Sequence, residues 1–218
     1  MNKMMIALDG PAGVGKGTLA RRLAEHYNLA HLETGLLYRA VAWKMLEKKL
    51  NFENEEIALK CAQNLTLEDM QSPRLRHDDV AKGASIVSIF PKVRKALLHF
   101  QQDFAQHPPQ GTNGVVLDGR DIGTCVLPKA PFKLFLDADV EIRATRRLQE
   151  LLLRGIGGIY ANVLDDMRQR DRQDRERKTS PLVAASDAFV IDTSHSNPEE
   201  VFHTACAYID RTAKGKDI

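Results

Sequence analysis

Short apolar runs alternate along this chain with longer stretches that are apolar on one face only. Met4–Leu8 is apolar throughout and reads as a central strand. The glycine-rich segment Gly10–Gly17 follows, and Lys16–Tyr27 then reads as a helix. His31–Glu33 closes a second short strand. In Gly35–Leu50, Leu37, Val41, Met45 and Lys48 fall near one face of a helix, and Glu55–Leu65 is a further helix. Thr66–Asp79 is polar and irregular and contains Pro73. Val80–Ser88 and Lys92–Gln106 read as helices separated by Pro91, and His107–Gly114, with its prolines and glycines, reads as a loop. Val115–Leu117 and Lys133–Leu136 are buried strands. Val140–Arg154 and Asn162–Arg177 are charged helices joined by Gly155-Ile156-Gly157-Gly158. Phe189–Ile191 is a last strand and Pro198–Arg211 a last helix. Short apolar strands alternating with helices predict an α/β fold: a parallel sheet with helices on both faces. Ligands bind such sheets at the carboxyl ends of the strands.

Composition narrows the class. With 218 residues, 43% hydrophobic and 28% charged, the chain can bury one sizeable core. A net charge of +2 and an aromatic content of 6% suit neither a nucleic-acid coat nor a stacking platform for single strands. Cys61, Cys125 and Cys206 are far apart and form no framework, as suits a reducing cytoplasm. The histidines show no metal-ligand spacing. Met1–Leu8 runs straight into Asp9-Gly10-Pro11 and reads as a strand rather than a signal peptide. No segment approaches about 18 consecutive apolar residues, so no membrane helix is expected. A cytoplasmic monomer acting on small molecules, without nucleic-acid or membrane partners, is the expectation.

The chemistry is concentrated where the first strand ends. Gly10, Pro11, Ala12, Gly13, Val14, Gly15, Lys16, Gly17 and Thr18 lie between a strand and a helix, the setting of a P-loop that binds a nucleoside triphosphate. Glycines let the backbone fold so that several N–H groups face one phosphate, and the helix N-terminus adds partial positive charge. Lys16 supplies a full charge between the β- and γ-phosphates of ATP. Gly17 stands where the strict pattern has Ser or Thr, so Thr18 is the hydroxyl available to a Mg²⁺ shell. The alternative is a glycine-rich turn without chemistry.

Further motifs point to one family. The GxxGxGKGT form of the loop looks like that of nucleoside monophosphate kinases. Leu32-Glu33-Thr34-Gly35-Leu36-Leu37-Tyr38-Arg39 resembles the (D/E)(S/T)GxxYR segment of the bacterial cytidylate kinase family. Phe90-Pro91-Lys92-Val93-Arg94 resembles its FPxVR segment, and Asp118–Thr124 its DGRDxGT loop. Arg170–Arg177, followed by Pro181-Leu182, resembles its RDxxDxxR lid segment. The resemblance covers nearly the whole chain. It implies a P-loop nucleoside-monophosphate-kinase-like three-layer fold in one domain, 1–218. Residues 1–35, 107–140 and 188–218 would form the core, 36–106 a small acceptor-binding region and 155–178 a mobile lid. In many members a small strand-rich insert precedes the helix that begins here near Val80. Only Thr66–Asp79 is available, without period-2 alternation, so this part is expected to be reduced or mostly helical.

The implied reaction is transfer of the γ-phosphate of ATP to CMP or dCMP, with Mg²⁺. An acceptor phosphate is nearly a dianion at neutral pH and needs no general base. The protein must instead overcome repulsion between two polyanions, which calls for the planar fork of arginine. Arg39, Arg120 and Arg177 fit this role, with Lys16, Arg120 and Arg177 as the catalytic set. A helix would place Arg170, Asp174 and Arg177 on one face. By resemblance, Arg170 and Asp174 contact the acceptor ribose with Thr34 nearby, and Ser85, Arg94 and Asp121 read the cytosine. Taken singly, Ser85 could be a surface hydroxyl, Arg94 an ion-pair partner and Asp121 a loop cap. Arg143, Arg146 and Arg147 either touch the donor or are plain surface. Asp118 either orders the Mg²⁺ shell or caps its loop. Alternatives are a kinase of UMP or of an alcohol, with Asp121 as base, and a nucleotide-dependent switch. A switch would have no use for so many arginines at a second site, and no NKxD guanine motif is present.

Overall fold

The structure, a computed structural model, describes residues 3–216. Within them lie strands β1 (Met4–Asp9), β2 (Ala30–Glu33), β3 (Gly114–Gly119), β4 (Phe132–Asp137) and β5 (Phe189–Asp192). The helices are α1 (Lys16–Tyr27), α2 (Gly35–Glu47), α3 (Glu55–Gln63), α4 (Asp78–Val87), α5 (Pro91–Gln106), α6 (Val140–Leu153), α7 (Tyr160–Glu176) and α8 (Pro198–Lys216). Segment 66–79 is helical in part: two 3₁₀ turns, Glu68–Gln71 and Pro73–Arg76, precede α4. Pro73 opens the second turn, where its missing N–H costs nothing.

The strands form one sheet in the order β2-β3-β1-β4-β5, and β1 pairs in parallel with both β3 and β4. Buried on both faces, β1 and β3 read as continuous apolar runs. Ile6, Leu8, Val116, Leu134 and Leu136 pack on one face against Leu19 and Leu23 of α1 and Ala205 and Ile209 of α8. The strand order reverses at β1, which makes its carboxyl end the switch point where ligands bind. The register pairs Leu8 with Asp118 and Asp9 with Gly119. The chains leaving β1 and β3 therefore start side by side.

The chain divides into two compact units. The first comprises residues up to Leu32 and those from Pro108 onward; the second is Glu33–His107. In the first, Asn28 and Asn113 staple the ends of the excursion: Asn113 N–H donates to the Asn28 carbonyl at 2.7 Å, and Asn28 Nδ2 to Gly111 O at 2.9 Å. The second unit has its own core, built from Leu37, Val41, Met45, Leu75, Val87 and Leu97. Residues 36–47 supply much of it because their apolar positions recur at helical spacing, as Leu37, Val41 and Met45 do.

Candidate active site

The loop from Gly10 to Gly15 joins β1 to α1. Gly10 has φ +146°, and a Cβ there would stand 2.1 Å from the Leu136 carbonyl oxygen, so only glycine fits. Two loop carbonyls are tied outward: Ala12 O accepts from Arg143 Nη1 at 3.1 Å and Val14 O from Thr193 Oγ1 at 3.3 Å. In a trans peptide the N–H points opposite its C=O, so the N–H groups of Gly13 and Gly15 point away from these anchors, as a phosphate cradle requires. Lys16 is buried and donates to Pro11 O at 2.6 Å. Burial, and then the positive charge of Arg120, push its pKa well below the ordinary lysine value. A polyphosphate would reverse that by supplying the missing negative charge. Thr18, exposed on the first turn of α1, fits the hydroxyl ligand that a Mg²⁺ shell takes from a P-loop.

Beyond β3 the first unit holds a cage of alternating charge. Arg120 Nε donates to Asp174 Oδ2 at 2.8 Å, and Arg120 Nη1 to Gly119 O at 3.2 Å. Arg177 lies 3.5 Å from Asp174 and 3.6 Å from Asp121, and its Nε donates to Ser180 O at 2.5 Å. Burial pushes the Asp174 carboxyl up, but the Arg120 charge and hydrogen bond outweigh it and hold the group below the usual carboxylate range. Arg170 sits on α7 with Asp174, one turn earlier. Arg177 does not continue that helix: it is the residue after the last turn, with extended backbone at φ −62°, ψ 138°. A helix face therefore accounts for Arg170 and Asp174 only. The chain bend brings Arg177 back onto Asp174.

In the second unit, Thr34 is buried just before α2. Arg39 Nη1 donates to the Leu75 carbonyl at 2.7 Å. Arg94 is buried on α5; its Nη1 donates to Ser88 O at 3.3 Å, and its guanidinium lies 5.6 Å from the centre of the Tyr38 ring. Ser85 Oγ donates to Ala81 O at 3.2 Å within α4.

The residues whose roles stood open now have partners. Arg143 is buried and bonded through all three of its nitrogens. Its Nε donates to Ala138 O at 2.8 Å, and Nη1 and Nη2 meet the two Asp171 oxygens at 3.1 and 2.5 Å. It is a strut between the phosphate loop and α7, not surface. Arg146 grips Thr193 and Ser194, and Arg147 pairs with Glu150 at 2.9 Å. Asp118 lies 2.7 Å from His31 Nε2. One site residue escaped the sequence reading altogether: Asp9, buried, accepts from Ile122 N–H at 2.8 Å and Gly123 N–H at 2.7 Å. The available signal was an acid ending an otherwise apolar central strand.

A parallel sheet with a phosphate loop at its switch point, a buried lysine in that loop and a guanidinium–carboxylate cage beside it define a P-loop phosphotransferase. The family model of cytidylate kinase matches residues 6–211. The chain belongs to the cytidylate kinase family. A cytidylate kinase of Paramagnetospirillum magneticum is 50% identical over 94% of this chain and 97% of its own length. One of Bartonella henselae is 45% identical over the full length of both chains. Solved structures share the fold at low identity. An uncharacterized protein from Eubacterium ventriosum aligns with TM-score 0.53 at 15% identity, over 95% of this chain and 99% of its own. A gluconokinase from Sinorhizobium meliloti aligns with TM-score 0.50 at 13% identity, over 98% and 95% respectively.

Proposed function

We propose that the protein transfers the γ-phosphate of ATP to CMP or dCMP, releasing ADP and CDP or dCDP. The observation that carries this reading is the cage of Arg120, Asp121, Asp174 and Arg177 at the end of β3, the strand next to the phosphate loop. Together with membership of the family, it supports two anions handled at neighbouring strand ends. The acceptor phosphate is itself the nucleophile, so the protein's work is to bind, orient and screen charge. The loop N–H groups and Lys16 hold the donor phosphates. Arg120 and Arg177 grip the acceptor phosphate, exchanging Asp174 and Asp121 for phosphate oxygens of greater charge.

The family resemblance assigns Arg39 to the acceptor phosphate, and Thr34, Arg170 and Asp174 to the ribose. It assigns Ser85, Arg94 and Asp121 to the base. Cytosine offers acceptors at O2 and N3 and a donor at N4, which an arginine fork and a carboxylate complement. Mg²⁺, with Thr18 in its shell, would neutralise charge on the β- and γ-oxygens. The lid reading of 155–178, action as a monomer and a cytoplasmic location belong to the same proposal; among the described residues no helix is long and apolar enough to cross a membrane.

A coupled ADP-release assay with CMP, dCMP, UMP and AMP tests the reaction. ADP release that depends on CMP or dCMP is expected. Release indifferent to CMP, or faster with UMP, would overturn the assignment.

A further inference from the structure

The N-cap position of a helical turn strongly favours Asp, because its carboxylate accepts from the turn's first unpaired N–H groups. Asp121 occupies that position before the wide turn Ile122–Val126, yet its side chain makes no capping bond. The turn is closed at its far end: Cys125 and Val126 N–H donate to Asp121 O at 2.9 and 3.1 Å, and Leu127 N–H to Ile122 O at 2.7 Å. Its leading N–H groups, of Ile122 and Gly123, are taken by the two oxygens of Asp9 instead, from more than a hundred residues away. Space around the clamp is tight. A Cβ on Gly123 would stand 3.3 Å from Lys133 Cδ and 3.4 Å from Asp9 Oδ2.

We infer that Asp9 is a positioning residue for the acceptor: by capping the turn from β1, it spares the Asp121 carboxylate that duty and holds Arg120 and Asp121 in register with the phosphate loop. This rests on the acceptor assignment made above. The register supplies the reason. Asp9 and Gly119 are paired neighbours, so the two residues that follow β3 leave the sheet beside Asp9. Asp9 also directly precedes Gly10, so one carboxylate joins the start of the donor loop to the acceptor loop. Burial pushes its pKa up to about 6 against the pull of the two N–H donors, which leaves it ionised and doubly accepting at neutral pH.

Asp9→Asn preserves shape but replaces one acceptor oxygen by an N–H₂ that faces an N–H. The uncapped turn should then recruit Asp121 as its own cap. The expected result is a fall of roughly tenfold or more in the CMP-to-UMP ratio of kcat/KM, while the Kd for ATP, by calorimetry, changes less than about twofold. The Ile122 and Gly123 amides should also exchange faster with solvent. Gly123→Ala, which presses on the clamp without removing a charge, should give the same split at smaller size; it decides the matter if Asp9→Asn fails to fold. An unchanged ratio, or ATP affinity falling in step with acceptor use, would overturn the inference, since a merely structural Asp9 would not separate the two. If the parent enzyme itself shows no preference for CMP, the acceptor assignment has failed. Exchange at Ile122 and Gly123 then still decides the capping: faster in the variant supports it, unchanged refutes it.

Discussion

Two pairs of arginines, one pair in each unit, show different sets of partners. In the first, Arg120 and Arg177 meet the carboxylates of Asp174 and Asp121 in addition to the carbonyls of Gly119 and Ser180. In the second, Arg39 and Arg94 donate to the main-chain carbonyls of Leu75 and Ser88. A carboxylate is a charged partner that a phosphate can replace, so on the proposed function the first pair would change partners at little electrostatic cost. A carbonyl is neutral and fixed by the backbone, so it fixes the direction of the guanidinium group that donates to it. The first arrangement suits groups that must follow shifting charge during transfer. The second suits groups that present a fixed pattern to a base or a resting anion.

Lys16 lies outside this contrast and sets its scale. Lys16→Ala should lower kcat by roughly a hundredfold or more, with far-UV circular dichroism unchanged, because the lost charge acts on the transition state. Near-normal turnover would remove the phosphate-loop assignment. Arg177→Ala and Arg94→Ala should differ in which kinetic constant they change. The first should cut kcat by about a hundredfold. The second should raise the KM for CMP by about tenfold with kcat little changed. Equal effects on kcat would show that the anchoring makes no difference.

Asp121→Asn should lower the CMP-to-UMP preference about tenfold, since the amide can donate to the uracil carbonyl at position 4. A ratio equal to that of the parent would show that Asp121 does not read the base.

The pKa values of Asp9, which is buried, and Asp174, which is half-buried, move in opposite directions. Asp9, raised to about 6, contributes stability that is fully present below the unfolded value and lost as pH rises through about 6. Asp174, lowered, contributes stability that is present above the unfolded value and lost as pH falls through its folded one. Denaturant unfolding at pH 5 and pH 7 should show Asp9→Asn gaining on the parent by about 1 kcal/mol at the higher pH. A difference independent of pH would show that Asp9 is not desolvated in the folded chain. The smallest effect concerns the connector between α6 and α7, where Gly155 and Gly157 have φ +69° and +75°. Amide exchange across residues 155–178 should slow when both nucleotides are bound, and unchanged exchange would leave that segment a solvated helix.

What the sequence revealed and concealed follows from distance along the chain. The phosphate loop is local: strand, glycines, lysine and helix are contiguous, so Met4–Thr18 could be read directly. Strand periodicity was equally local, and β3 and β4 came out within a residue or two. The polar segment 66–79 carried too little periodicity to reveal its two short turns. Long-range pairs left no local trace. The bonds of Arg143 to Ala12 and Asp171, and of Asp9 to Ile122 and Gly123, join segments with no shared pattern. Spacing alone made Arg143 a surface or donor-contact candidate, and nothing in a heptad or strand rule says that a strand-terminal acid caps a remote turn. Arg177 went the same way: helical periodicity cannot announce the bend that ends α7 one residue early.

The excursion stapled by Asn28 and Asn113 has a consequence in time. A ribosome adds roughly 5–20 residues per second, so the span from Glu33 to His107 takes roughly 4–15 s to emerge. During that interval β1 has neither of its neighbours, since β3 and β4 are still unmade. The second unit, with its own core, can be finished before β1 has a partner strand. An apolar strand must therefore wait, unpaired, for a helical unit to be born, which makes β1 the stretch a nascent-chain chaperone would be expected to hold.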